Sequence, residues 1–445
     1  MKHVVLSTSG SLGDVHPYIA IGLELKLRGH RVTIATSKAY RQTVQGEGLE
    51  FHHLRPDIAP DLYTPEIFKK ANDLKTGTAY LVRELVLPYT QEMYDDLTAA
   101  CEGADLLVIH PILFAAPVVA EKLRMKWLSV TLAAGSFGSA YDMPLMPPLP
   151  WLHALRRLGP GFNRLVLKGI YGFTRGWMKP IDELREREGL PPATESPLHK
   201  GMYSPFGTLA CFSRLLGRPQ PDWPAKTEQT GYVFYDKHES AEELDPALEN
   251  FLSAGERPIV FTLGTSAVID PGNFYQASFE AVKRAGRRAV FLIGKQEANR
   301  PQGEIPPTIF ISGYAPYSKL FPRAAAVVHQ GGAGTTAQTL RAGVPMLVVP
   351  YLHDQPDNAF RMKQLGVARV LRREAYNAKS ASENLRIILE DRRYAERARA
   401  AAKQIAFEDG VGSCVRVIER LLEAKHERGV ESESEETLES ALSNL

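Results

Sequence analysis

Cysteine is scarce in this sequence, and its three residues lie far apart. They are Cys101, Cys211 and Cys414. An odd number at such wide spacing gives neither a disulfide framework nor a CxxC metal site. This usage favours a reducing compartment.

Long apolar runs and an excess of one charge are also lacking. No run approaches the roughly 20 residues that a membrane span needs, and the N-terminus lacks the pattern of a secretory signal. We therefore expect a cytoplasmic protein. With 53 basic and 51 acidic residues the formal charge is +2, which argues against a nucleic-acid partner.

Short apolar strands alternate with helical patterns in both halves of the 445 residues, beginning with "HVVLST" and, in the second half, "PIVFTLG". This order predicts parallel sheets covered by helices, and the length predicts two domains. The fold class is α/β, with two doubly wound Rossmann-like domains facing across a cleft. The predicted bounds are an N-terminal domain at 1–215, a proline-rich linker at 216–256, a C-terminal domain at 257–425 and an acidic, disordered tail at 426–445.

A basic and apolar segment stands out at 143–181, which holds six bases and no acid. Residues 151–180 could make peripheral contact with an anionic membrane, or the segment could line an apolar acceptor pocket. The alternative is a pair of helices packed on the N-terminal sheet with solvated bases, which the pattern favours.

The stretch "VVHQGGAGTTAQTLRAG" places Gly331, Gly332 and Gly334 between an apolar strand and a helix. Glycines let the backbone approach an anion there, and the helix N-terminus attracts negative charge. His329 at the strand end and Thr335 in the first helical turn can donate to phosphate oxygens. A purely structural tight turn is the alternative.

The next strand ends in "YLHDQPDN", which places Asp354 and Gln355 beside that turn. In open α/β sheets ligands bind beyond the carboxyl ends of the strands. A carboxylate next to an amide suits a polyhydroxylated group, so the two loops together predict a phosphate and a sugar.

Residues 313–368, with "HQGGAGTT" and "DQPDNA", resemble the donor signature of nucleotide-sugar glycosyltransferases of the two-domain GT-B type, family 1. With "GSLGDVHP" near the start, the sequence is similar to the bacterial branch of rhamnolipid rhamnosyltransferase, sterol glucosyltransferases and macrolide glycosyltransferases. The resemblance implies that the N-terminal domain binds the acceptor and the C-terminal domain binds the nucleotide sugar. It also implies diphosphate contacts from His329 and the turn, and sugar contacts from Asp354 and Gln355. Tyr314 stands where plant relatives stack a tryptophan on uracil. The implied donor-binding residues are Gly13, Thr265, Ser266, Tyr314, His329, Gly331, Gly332, Gly334, Thr335, Asp354, Gln355 and Asn358.

The first glycine turn carries the predicted catalytic pair. Plant relatives read "GHVNP" there, and their histidine is the general base; Asp14 takes its place here, while His110 stands where they have an aspartate. Either Asp14 orients His110 as the base, or His110 supports Asp14 acting directly. The structural alternatives are an N-cap for Asp14 and a strand end for His110.

The resulting hypothesis is an inverting glycosyltransferase that moves a hexose from a UDP- or dTDP-sugar to a hydroxyl of a hydrophobic lipid, sterol, polyketide or phenolic acceptor. No residues with metal-ligand spacing lie near the predicted diphosphate, so no metal is predicted. No cofactor is expected either, because the sugar nucleotide is a co-substrate. A nucleotide-sugar epimerase and a non-catalytic sugar-nucleotide-binding partner subunit are the alternatives.

Overall fold

A computed structural model describes residues 1–59, 64–146, 148–149, 151–236 and 243–424. The predicted tail at 426–445 therefore lies outside the described residues. Two parallel sheets organise the described chain, each with helices on both faces.

The first sheet contains seven strands in the order β3-β2-β1-β4-β5-β6-β7. They are β1 His3–Ser7, β2 Arg31–Thr36, β3 Glu50–His53, β4 Leu106–Ile109, β5 Lys126–Thr131, β6 Thr208–Ala210 and β7 Thr227–Gln229. The consecutive apolar residues of β1 and β4 are fully buried, as expected for parallel strands with helices on both faces.

The second sheet contains six strands in the order β10-β9-β8-β11-β12-β13. They are β8 Ile259–Thr262, β9 Ala289–Leu292, β10 Ile309–Ser312, β11 Ala326–His329, β12 Met346–Val348 and β13 Ala368–Val370. The strand order reverses between β1 and β4 in one sheet and between β8 and β11 in the other. Loops at such switch points form ligand sites in doubly wound folds.

Helices connect most of these strands. In the first half they are α1 Leu12–Leu27, α2 Arg41–Gly46, α3 Pro65–Ala71, α4 Gly77–Tyr80, α5 Thr90–Ala100, α6 Ala116–Lys122, α7 Leu152–Leu155, α8 Pro160–Arg175 and α9 Lys179–Arg187. In the second half they are α10 Pro246–Ser253, α11 Phe274–Ala285, α12 Tyr317–Leu320, α13 Ala333–Arg341, α14 Gln355–Leu365, α15 Ala378–Glu390, α16 Arg392–Ile405 and α17 Gly410–Glu423.

Packing differs from the predicted bounds in two places. The predicted linker contains β7, which pairs with β6 at the edge of the first sheet, and it also contains α10. The last helix, α17, lies inside the predicted C-terminal stretch but packs on α1 with the core of the first sheet. The polar sequence "TEQ" of β7 has no apolar strand pattern, and a helix pattern does not show which domain the helix covers.

The return of α17 brings two cysteines together. The Sγ atoms of Cys211 in β6 and Cys414 in α17 lie 3.5 Å apart, and both are buried free thiols. The sequence gives no sign of this pair, because 203 residues separate its members.

Candidate active site

The first switch point holds Asp14 in a fixed orientation. Ser11 is the N-cap of α1, and Asp14 is its third residue, so the structure gives the capping role to Ser11. Asp14 Oδ2 accepts hydrogen bonds from the Ser11 amide at 2.8 Å and the Ser11 hydroxyl at 3.0 Å. This capping box leaves Oδ1 for another partner.

That partner is His110, which follows β4. Its Nε2 lies 3.7 Å from Asp14 Oδ1, and the side chains of His110 and Asp14 are 17% and 32% exposed. The Ile112 amide lies 3.4 Å from His110 Nδ1 and donates to it. A ring nitrogen that accepts a hydrogen bond carries no proton, so the neutral ring holds its proton on Nε2, facing Asp14.

The charge state of Asp14 follows from these contacts. Burial raises the pKa of its carboxyl, but hydrogen bonding and charge from His110 and hydrogen bonds from Ser11 lower it, and the net pKa lies below the usual value. Asp14 is therefore an ionised carboxylate at neutral pH, with His110 Nε2 3.7 Å from its Oδ1.

The second glycine turn faces the first. Gly332 is the N-cap of α13, and Gly331 has φ +91°, where an added Cβ would lie 2.8 Å from Val348 Cγ1. A Cβ on Gly334 would lie 3.9 Å from the Cα of Gly13. The N-termini of α1 and α13 thus converge across the cleft, and both favour an anion between them.

The structure does not place His329 where the sequence predicts. Its ring is fully buried, Nδ1 accepts the Gly331 amide at 3.0 Å, and Nε2 lies 3.3 Å from Met346 Sδ. Burial lowers the pKa of His329 to about 3, so the ring is neutral. At the end of β11 the side chain turns into the core, where it shapes the glycine turn and does not reach the cleft.

Unpaired polar atoms surround the same turn. Gln330 Oε1, Thr336 Oγ1 and Asn358 Oδ1 are buried without a hydrogen-bond partner among the described residues. Native proteins pair nearly all such atoms, so a cluster of exceptions indicates a ligand site. Gln330 is not among the predicted site residues, although its place inside "HQGG" is a signal. The side-chain amide of Gln330 fills the space beside Gly264, which has φ +64°. A Cβ at Gly264 would collide with that amide.

Asp354 is the N-cap of α14 and lies within the cleft. Asn358 Nδ2 joins it to the glycine turn, donating to Asp354 Oδ2 at 2.7 Å and to the Gly331 carbonyl at 3.0 Å. The pKa of Asp354 is raised to about 7, mainly by burial. The hydrogen bond from Asn358 lowers this pKa, whereas the negative charge of Asp14 raises it further. Asp14 and Asp354 therefore approach from opposite domains.

Gln355 departs from its predicted role as a sugar ligand. Its side chain is buried, and Oε1 accepts the amides of Tyr351 at 2.9 Å and Leu352 at 3.2 Å. The carbonyl oxygen thus holds the loop that leads into α14. A glutamine at a helix start has local backbone donors within reach, which the pattern "DQ" does not reveal.

His353, beside Asp354, is a further site residue that was not predicted. Its Nδ1 lies 3.2 Å from Thr78 Oγ1 of the first domain, and its φ is +49°. Burial lowers its pKa to about 4, although the charge of Asp14 acts in the opposite direction. His353 is a neutral ring that spans the cleft.

The remaining predicted residues lie at the second sheet. Thr265 and Ser266 follow β8 at the switch point, and Thr265 is exposed, whereas Thr335 is buried in the first turn of α13. Tyr314 is exposed after β10. It lies close enough to Tyr235 for its charge to contribute to the raised pKa of the Tyr235 hydroxyl.

Two facing α/β domains, with a glycine turn at a helix N-terminus and carboxylates in the intervening cleft, fit the architecture of a GT-B glycosyltransferase. Residues 4–134 match the glycosyltransferase family 28 N-terminal domain, and residues 287–420 match the erythromycin biosynthesis protein CIII-like C-terminal domain. The chain belongs to this glycosyltransferase family and is an enzyme of that class. Among the described residues, no three His, Cys, Asp or Glu side chains are grouped to hold a metal ion.

Similar proteins agree with this assignment. O-mycaminosyltylonolide 6-deoxyallosyltransferase of Streptomyces fradiae is 33% identical over 433 residues, which cover 95% of this chain and 98% of that protein. Sterol 3-beta-glucosyltransferase of Komagataella phaffii is 29% identical over 438 residues, 94% of this chain. The chain spans only 34% of that longer relative.

Solved structures share the fold. The glycotransferase of kitacinnamycin superposes with a TM-score of 0.72 at 21% identity, over 94% of this chain and 98% of that one. The glycosyltransferase VinC in complex with dTDP has a TM-score of 0.66 at 21% identity, over 94% and 100% of the two chains. These likenesses confirm the two-domain α/β architecture.

Proposed function

We propose that the protein is an inverting glycosyltransferase that moves a hexose from a UDP- or dTDP-sugar to a hydroxyl of a hydrophobic acceptor. The observation that carries this proposal is the convergence of two helix N-termini on one cleft, with Asp14 on one side and Asp354 on the other. No cofactor enters the proposal, because the sugar nucleotide is a co-substrate.

Asp14 is the proposed proton acceptor, and His110 is its positioning partner. His110 Nδ1 is taken by a backbone amide and Nε2 holds a proton, so the neutral ring has no free lone pair to offer. The carboxylate takes the acceptor proton as the acceptor oxygen bonds to the anomeric carbon and the carbon–phosphate oxygen bond breaks. A general base at this point contributes about 10²- to 10⁴-fold to the rate.

The leaving diphosphate takes the electron pair of the broken bond and gathers negative charge. The free amides at the start of α13, near Gly332, Gly334 and Thr335, would stabilise that charge, with Gly13 opposite. Because His329 is neutral and buried, its contribution is to hold the Gly331 amide. Thr265, Ser266 and the exposed ring of Tyr314 are the proposed contacts to the rest of the nucleotide.

The sugar lies between the two carboxylates in this proposal. Ionised Asp354 would accept sugar hydroxyls, with Asn358 holding its orientation. The relatives' names describe a 6-deoxyallosyltransferase and sterol glucosyltransferases, and VinC binds dTDP, which supports a hexose donor and a hydrophobic acceptor such as a macrolide or a sterol.

The test is nucleoside diphosphate release from UDP-glucose and dTDP-rhamnose, with and without O-mycaminosyltylonolide or ergosterol. We expect release to need both substrates, and proton NMR to show an inverted anomeric centre in the product. A new sugar nucleotide formed from donor alone would instead identify an epimerase. Donor binding without turnover across a broad acceptor panel would identify a non-catalytic partner subunit.

We also propose peripheral contact of residues 151–180 with an anionic membrane. The buried face of α8 packs on the loop after β5, but the other face exposes Arg164, Leu165, Lys168 and Phe173. Five of the thirteen exposed large apolar side chains in the described residues lie at 149–173: Leu149, Trp151, Leu158, Leu165 and Phe173. Apolar groups among bases suit the surface of an anionic bilayer.

Vesicle sedimentation tests this contact. The protein should bind vesicles with 30% phosphatidylglycerol, in a salt-sensitive way, more than pure phosphatidylcholine, and Leu165→Ser with Phe173→Ser should weaken binding about tenfold or more. Phe407→Ser is the matched control, because Phe407 is 91% exposed elsewhere on the surface. Equal binding by all variants, or dimerisation through this face in light scattering, would contradict the proposal. None of the described helices is long and apolar enough to cross a bilayer.

A further inference from the structure

The loop after β5 is held firmly within the first domain. Asp222 accepts the Ser139 hydroxyl at 2.5 Å and the Ala140 amide at 2.7 Å. Asn163 of α8 donates to the Ala140 carbonyl at 2.8 Å. These contacts tie the middle of the loop at 132–146 to the first domain.

The same loop is joined to the second domain by a buried ion-pair network. Arg361 Nη1 lies 2.6 Å from Asp142 Oδ2, and Arg361 Nε lies 2.6 Å from Asp357 Oδ2. Asp357 Oδ1 also accepts the Leu145 amide at 2.9 Å. The side chains of Arg361 and Asp357 are only 9% and 6% exposed, so solvent screens these charges far less than those of a surface pair.

One helix carries both this network and the site. Asp354 at the N-cap and Asn358 are four residues apart and face the glycine turn, while Asp357 and Arg361 are four residues apart on the adjoining face. A shift of α14 on nucleotide binding would therefore reach the loop at 132–146 through fixed hydrogen bonds.

We propose that Asp142, Asp357 and Arg361 form an interdomain latch that couples nucleotide binding in the second domain to the order of the loop at 132–146. They are positioning residues, because they contact the loop and α14 rather than the reacting atoms. The inference rests on the proposed function, since it takes the turn at Gly331 and Asp354 as the donor site. Its consequence is that a bound nucleotide prepares the first-domain wall of the cleft for the acceptor.

Hydrogen–deuterium exchange tests the latch without an acceptor. Saturating UDP or dTDP should slow amide exchange in peptides covering 132–146 by about fivefold or more in the wild type, the lower range of allosteric coupling. Asp142→Asn should retain nucleotide protection around Gly331 and Asp354 but lose it in the loop. Arg361→Lys keeps the positive charge but cannot pair with Asp142 and Asp357 at the same time through a planar guanidinium. It should therefore retain only part of the wild-type loop protection.

Glu121→Gln is the matched control. It breaks a partly buried pair with Arg185, at 2.7 Å, that lies wholly within the first domain. This variant should lose thermal stability but keep the full loop protection. Loop protection that survives in Asp142→Asn, or is missing from wild type with nucleotide bound at Gly331, overturns the latch. Absence of any nucleotide binding in a thermal-shift assay would instead refute the donor site itself, and the latch with it.

Discussion

Replacing Asp354 by asparagine should stabilise the folded protein more at pH 8 than at pH 5. The pKa of Asp354 is raised from 3.8 to about 7 because the carboxyl is buried and faces Asp14. The folded state therefore holds a proton that the unfolded state has released. In the wild type, the contribution of this proton to the free energy of unfolding is fully present below pH 3.8. It is lost as the pH rises through about 7.

The magnitude follows from this shift. About three pKa units at about 1.4 kcal/mol each give an upper value near 4 kcal/mol, of which roughly two units fall between pH 5 and pH 8. Because the side chain is partly exposed, solvent screening reduces the expected difference to about 2 kcal/mol. Asparagine keeps an oxygen for the Asn358 amide and does not titrate.

Thermal unfolding by intrinsic fluorescence measures the effect. The change in Tm caused by Asp354→Asn should be about 2 °C more favourable at pH 8 than at pH 5, because an unfolding entropy of about 2.1 cal/mol/K per residue over 445 residues gives about 1 °C per kcal/mol. Asp95→Asn, at an exposed position on α5, is the control and should show no such difference. The same change in Tm at both pH values for Asp354→Asn would refute the buried, proton-holding carboxyl.

Three further outcomes follow from the site. Gln330→Met removes an unpaired buried oxygen, so Tm should rise while dTDP affinity in calorimetry falls; unchanged affinity would show that no ligand pairs with this oxygen. Gly331→Ala forces a side chain to φ +91° against Val348 and should cost about 1 to 3 kcal/mol in urea unfolding, whereas a neutral effect would mean that the turn rearranges. The donor KM should fall as the pH rises through about 7 in wild type, where Asp354 ionises, and stay flat in Asp354→Asn.

The sheet architecture and the position of the cleft were accessible from the sequence. Apolar strands alternate with helical patterns, and "HQGGAGTT" and "GSLGDVHP" each mark a strand end followed by a helix start. Because parallel strands end at one edge, the second turn and Asp354 were expected near one another, and the resemblance implied that the first turn faces them across the cleft. The close approach of Gly13 to Gly334 agrees with that expectation.

Side-chain directions and distant contacts were not accessible. Whether His329 faces the cleft or Met346 depends on packing beyond its own strand, and Gln355 finds its partners in a loop whose path has no sequence signature. Arg361 and Asp142 are 219 residues apart, so only the folded chain shows their pairing.

The assignment of the proton acceptor is tested most directly by kcat at saturating donor for Asp14→Asn and His110→Ala across pH 4 to 9. We expect kcat to fall about 10³-fold or more in Asp14→Asn and about 10- to 100-fold in His110→Ala. The wild-type kcat should stay constant down to about pH 5, because the pKa of Asp14 lies below its usual value. Near-normal turnover by Asp14→Asn, together with complete loss in His110→Ala, would contradict the account and make His110 the base.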